Sequence, residues 1–121
     1  MEKPYILAVD DEELNLIILE ELLVDKYELS FVKNGRCCLE SVKERVPDLI
    51  LMDVNMPIMD GLEACSRLKK QQSTTNLPII MLSALASDAE SQYGLNVGAD
   101  AYISKPFDEI QLLDALHFYL N

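Results

Sequence analysis

Asp10, Asp11, Asp53, Ser83 and Lys105 are residues whose types suit them to hold a cation and a phosphate together. Three carboxylates gathered without a partner repel one another and raise at least one pKa. A hard divalent cation relieves that repulsion. Mg²⁺ takes octahedral oxygen ligands, accepts one or two protein carboxylates and keeps several waters. Its remaining positions would be open to phosphate oxygens. Lys105 and Ser83 could hold those oxygens by a charge-assisted and a neutral hydrogen bond. An aspartate so placed can act as a nucleophile toward phosphorus, since acyl-phosphate formation is an established use of its carboxylate. The protein would contribute positioning and charge neutralisation.

Each of these residues follows a short apolar run. The runs are Ile6–Val9, Leu29–Val32, Leu49–Met52, Ile79–Leu82 and Ala101–Ile103. Three are continuous rather than alternating, which marks strands covered on both faces, as in a parallel sheet. Segments of helical period lie between and after them. Leu14, Ile17, Ile18 and Leu22 share a face, as do Leu39, Val42 and Val46. So do Leu62, Cys65 and Leu68, then Ala86, Ala89, Tyr93 and Val97, and finally Ile110, Leu113, Leu116 and Leu120. Five strand–helix alternations predict an α/β fold with a parallel sheet and helices on both faces. Asn34-Gly35 and Asp60-Gly61 open helices, Pro47 closes one, and Gly98 ends the fourth. Ligands of open α/β sheets bind outside the carboxyl ends of the strands, where the five residues fall.

The 121 residues predict one domain over 1–121, large enough for a core without staples. The chain reads either as a complete one-domain protein or as a segment cut at a domain edge. A net charge of −11 offers no basic stripe to nucleic acid or to an anionic membrane. No run has transmembrane length or the form of a signal-peptide core, so a cytoplasmic location is expected. Cys37, Cys38 and Cys65 are expected to be free packing thiols, and the lone His117 a plain helix residue with no metal cluster.

In order and spacing these residues resemble the two-component response-regulator receiver domain, over essentially the whole chain. The matching positions are Asp10-Asp11, Asp53, Met56-Pro57, Asp60-Gly61, Ser83-Ala84, and Tyr102 with Lys105-Pro106-Phe107. The resemblance implies a doubly wound five-stranded (βα)5 sheet of order 2-1-3-4-5. It implies that Asp53 accepts a phosphoryl group from a sensor histidine kinase or histidine phosphotransfer protein. Asp11 would ligate Mg²⁺ (or Mn²⁺ in its place) directly, Asp10 mostly through water, and Asn55 by its backbone carbonyl. Lys105 would pair with Asp53 and then with the phosphoryl oxygen. Ser83 with Ala84 would form the phosphate-binding switch, and Tyr102 would rotate inward in response. Pro57, Gly61 and Pro106 would be structural, with the Lys105–Pro106 bond cis. Two departures stand out: Ser83 replaces a commoner Thr, and Ala101 a frequent Asp. The output partner, or a missing output domain, is not specified.

Other readings compete. Asp10 and Asp11 could be helix N-terminal charges, and Tyr102 a packing aromatic. The last helix carries Leu112, Phe118 and Tyr119 beyond the stripe a sheet needs, which would mark a partner or dimer surface, or a helix end covered by a neighbouring domain. Residues 107–121 contain no Lys or Arg, against the salt-bridged dimer of one transcription-factor subgroup. A phosphorylation-linked dimer through residues 84–120 is left open. A Mg²⁺-dependent phosphatase of the haloacid-dehalogenase kind needs a second Asp two residues after the nucleophile, where Asn55 stands. A flavodoxin-type FMN carrier would meet repulsion from Asp10 to Glu13. A receiver-like module that only binds partners is the remaining alternative.

Overall fold

The computed structural model describes residues 3–83, 97–106 and 108–120. Five parallel strands, β1 (Tyr5–Val9), β2 (Glu28–Val32), β3 (Leu49–Asp53), β4 (Ile79–Ser83) and β5 (Ala101–Ser104), form one sheet in the order β2-β1-β3-β4-β5. The described helices are α1 (Glu13–Leu23), α2 (Gly35–Glu44), α3 (Gly61–Lys70) and α4 (Glu109–Leu120). The helix expected around Ala86, Ala89 and Tyr93 lies outside the described residues, as does Phe107.

The three continuous apolar runs are the three central strands, buried at every position. Their side chains alternate between two cores. Leu7, Ile50, Met52, Ile79 and Met81 pack with Cys38, Val42, Cys65 and Leu68 of α2 and α3. Ile6, Ala8, Leu49, Leu51 and Ile80 pack with Leu16, Leu19, Leu23, Leu112 and Leu116 of α1 and α4. The edge strands β2 and β5 are less covered.

Helix starts follow the expected punctuation. Asn34 and Asp60 cap α2 and α3, their side chains accepting from the N–H of Cys37 and Glu63, each at 2.8 Å. Gly98 adopts φ 107°, a left-handed conformation suited to glycine.

Three helix faces differ from expectation. In α1, Leu16, Leu19 and Leu23 are buried, while Leu14, Ile17 and Ile18 are exposed. The helix is apolar nearly all round, so its own pattern does not choose a side. Its buried face is the one that meets Ile6, Ala8 and Leu49 of the sheet. In α4, Leu112 is buried and Ile110 exposed, the reverse of the expected assignment. Tyr119 is half-buried and its hydroxyl donates to the Asp100 carbonyl at 2.8 Å, whereas Phe118 is exposed. In α2, Cys38 packs beside Val42, while Val46 lies beyond the helix end and is exposed.

Candidate functional site

Strand register assembles the site. Val9 pairs with Met52, so Asp10 leaves β1 level with Asp53 at the end of β3. Asp53 pairs with Leu82, which sets Ser83 one residue further out. Ser83 pairs with Ser104, so Lys105 emerges just beyond it, and its N–H donates to the Ser83 carbonyl at 2.7 Å. Residues up to 95 positions apart in sequence thus meet at one sheet edge.

Lys105 Nζ donates to Asp10 Oδ2 at 2.6 Å and to Asp53 Oδ1 at 3.2 Å. Asp10 is otherwise held by the Glu12 N–H at 2.9 Å and by Asn15 Nδ2 at 3.2 Å. Asp10 and Asp53 are buried and Asp11 is exposed. Oxygens of all three carboxylates lie within 4.8 Å of one another. That hard oxygen set fits a hard divalent cation. One ammonium does not neutralise three carboxylates, so the group carries an excess of negative charge.

Burial pushes the Asp53 carboxyl up to about 6, and Asp10 adds to that against the opposing pull of Lys105. For Lys105, burial disfavours the ammonium, but its hydrogen bond to Asp10 and the charge of Asp53 outweigh this and hold its pKa above the usual value.

Glu12, Asn15, Asp53, Asn55, Lys105 and Pro106 line a cleft of about 370 Å³ over this cluster. Asn55 therefore sits beside Asp53, two residues along the same loop. Asn15 was not among the expected residues. Its only sequence signal is a polar residue in the first turn of a helix that follows an acidic strand end. Ser83 is fully buried, and Tyr102 is half-buried on the α2–α3 side of the sheet. Ala84 lies outside the described residues.

The structural positions serve the loop that follows Asp53. A Cβ on Gly61 would stand 2.1 Å from the Asp53 carbonyl oxygen, so only glycine fits this approach. The Gly61 N–H donates to the Val54 carbonyl at 2.8 Å, and the Pro57 carbonyl accepts from the Met59 N–H at 2.8 Å. The Lys105–Pro106 peptide is cis.

The chain is similar to known proteins over most of its length. The family model of the response regulator receiver domain matches residues 6–117. The chemotaxis protein CheY of Halobacterium salinarum is 37% identical over 112 residues, 92% of this chain and 92% of that protein. The response regulator PleD of Caulobacter vibrioides is 38% identical over 108 residues, which is 88% of this chain but only 24% of PleD. The chain thus spans about a quarter of that longer relative. Among solved structures, the receiver domain of the sensor histidine kinase PA1611 from Pseudomonas aeruginosa PAO1 superposes with a TM-score of 0.89 at 30% identity, covering 97% of both chains. That structure carries a magnesium ion in its active-site cleft.

Proposed function

This chain belongs to the response regulator receiver domain family, and from that premise we propose that Asp53 is its phosphoacceptor. The observation that carries the reading is Lys105 bridging Asp10 and Asp53 inside a three-carboxylate cluster. The donor is a phosphohistidine on a sensor histidine kinase or histidine phosphotransfer protein. An Asp53 carboxylate oxygen attacks phosphorus, the O–P bond forms, and the P–N bond breaks with its electron pair returning to the imidazole. Lys105 then moves its ammonium from the carboxylates to a phosphoryl oxygen, and the Ser83 hydroxyl donates to another. Tyr102 and Ala84 would take part in the response to the phosphoryl charge. Asp10, Asp11, Asp53 and the Asn55 carbonyl would hold Mg²⁺, with Mn²⁺ as a substitute, and the cation would neutralise charge on the transferring group.

Asn55 also bears on the phosphatase alternative. An amide beside Asp53 cannot serve as the general acid and base that turnover of the haloacid-dehalogenase kind uses. The chain then works as a switch, in which an added phosphoryl charge alters a partner-binding face.

Intact mass after incubation with acetyl phosphate tests this reading. One phosphoryl adduct is expected with Mg²⁺, none in excess EDTA, and none for Asp53→Asn. An adduct retained at full stoichiometry by Asp53→Asn would sink the assignment. Absence of any adduct with both acetyl phosphate and a phosphorylated histidine phosphotransfer protein would favour a module that only binds partners.

A further inference from the structure

The net charge is −11, yet three of the ten cations line one groove. A groove of about 400 Å³ runs between α2 and α3, lined by Arg36, Leu39, Glu40, Lys43, Met59 and Arg67. Three cations and one carboxylate therefore face it. Glu63 on the same helix pairs with Arg67 at 2.7 Å. Arg36 and Lys43 have no carboxylate partner among the described residues. Leu39 and Met59 are half-buried against the core and supply the apolar part of the groove.

Ile58, the chain neighbour of Met59, adds a second observation. Its φ is 72° and its side chain is 77% exposed. The Met59 N–H donating to the Pro57 carbonyl closes a three-residue turn around it, and a positive φ makes this the rarer, strained form of γ-turn. A β-branched residue seldom adopts such a backbone, which glycine takes readily. Within this domain Ile58 gains neither packing nor an easy conformation. Strained positions of this kind gather at ligand clamps and switch regions.

We propose that the α2–α3 groove, with the adjoining Ile58, docks an acidic partner segment that carries an apolar anchor residue. The charge pattern selects that partner. An acidic segment is repelled by the molecule as a whole and attracted where Arg36 and Lys43 face one groove. Leu39 and Met59 then receive the apolar anchor, and the exposed Ile58, next to Met59 in the chain, would extend the apolar contact. The groove shares no lining residue with the Asp53 cleft.

The test is an NMR titration of the ¹⁵N-labelled full chain with a synthetic peptide of Glu and Leu at helical spacing. A twin with Lys in place of each Glu is the control. The acidic peptide is expected to shift the amides of α2, the start of α3 and the loop at Ile58–Met59, and binding should weaken as salt rises. Arg36→Glu with Lys43→Glu should weaken it about tenfold while leaving the Mg²⁺-dependent phosphoryl adduct unchanged. Ile58→Gly should raise Tm and yet weaken binding several-fold, opposite effects that a purely structural role would not produce. Equal shifts from the Lys twin, shifts centred on another face, unchanged binding by Ile58→Gly, or no shift up to about 1 mM peptide would each overturn the proposal.

Discussion

At Asp53, burial and charge pull against each other. The carboxyl is pushed up to about 6 by burial and by Asp10, and Lys105 offsets only part of this. A carboxyl whose folded pKa lies above its unfolded value of 3.8 contributes stability below that value and loses it as pH rises through about 6. The metal-free protein is therefore strained at neutral pH by the group proposed as its nucleophile. Thermal unfolding in EDTA should show Asp53→Asn more stable than the parent at pH 8, by about 1–3 kcal/mol. The gap should close below about pH 4. Mg²⁺ should stabilise the parent more at pH 8 than at pH 5, because protons compete for the same carboxylates. A gap independent of pH would show that Asp53 is not strained by its surroundings. The cysteines behave differently. Burial pushes Cys38 up to about 12 and Cys65 up to about 11, so both stay protonated and serve as packing, as their sequence context led one to expect.

At the scale of elements, the loop from β3 to α3 is where packing and chemistry meet. It starts at the carboxylate proposed as nucleophile and ends at Gly61, whose missing side chain lets the start of α3 sit against the backbone of Asp53. Gly61→Ala would place a methyl group 2.1 Å from the backbone oxygen of Asp53, so the backbone itself would have to shift. Chemical denaturation should show a loss of about 2–4 kcal/mol, and acetyl phosphate should label the surviving folded protein more slowly. Unchanged stability would mean that the loop can shift freely and that the close approach is not required. The ends of the strands opposite the cleft are tied as well. Asp100 Oδ2 accepts from the Ile79 N–H at 2.8 Å and from Lys69 Nζ at 2.9 Å, joining β4, α3 and the approach to β5. Neither residue gives a sequence signal of this role, because each alone looks like a solvated charge.

For the whole molecule, twenty-one acidic residues against ten basic ones impose a general repulsion on the folded state. Few ion pairs offset it among the described residues, and two of these are half-exposed on the surface, where each contributes little. Raising KCl should therefore raise Tm by roughly 2–5 °C, through screening of like charge. A flat or falling Tm would show that the charges are already compensated by local pairing. No described helix is long and apolar enough to cross a membrane.

The strand–helix alternation of the described residues, and the residue types that end the strands, were legible in the chain itself. The reason is physical: a strand covered on both faces must be apolar throughout, so β1, β3 and β4 stand out as unbroken runs. The charged residues that end those runs then stand out in turn. Which side α1 and α4 bury emerged only on folding, since both are apolar nearly all round and their own patterns do not choose a face. Folding alone brought Lys105 to within 2.6 Å of Asp10, because that distance follows from the register of four strands and not from any local pattern. The left-handed turn at Ile58 was likewise invisible, since its conformation is imposed by the loop around it against the preference of its own side chain.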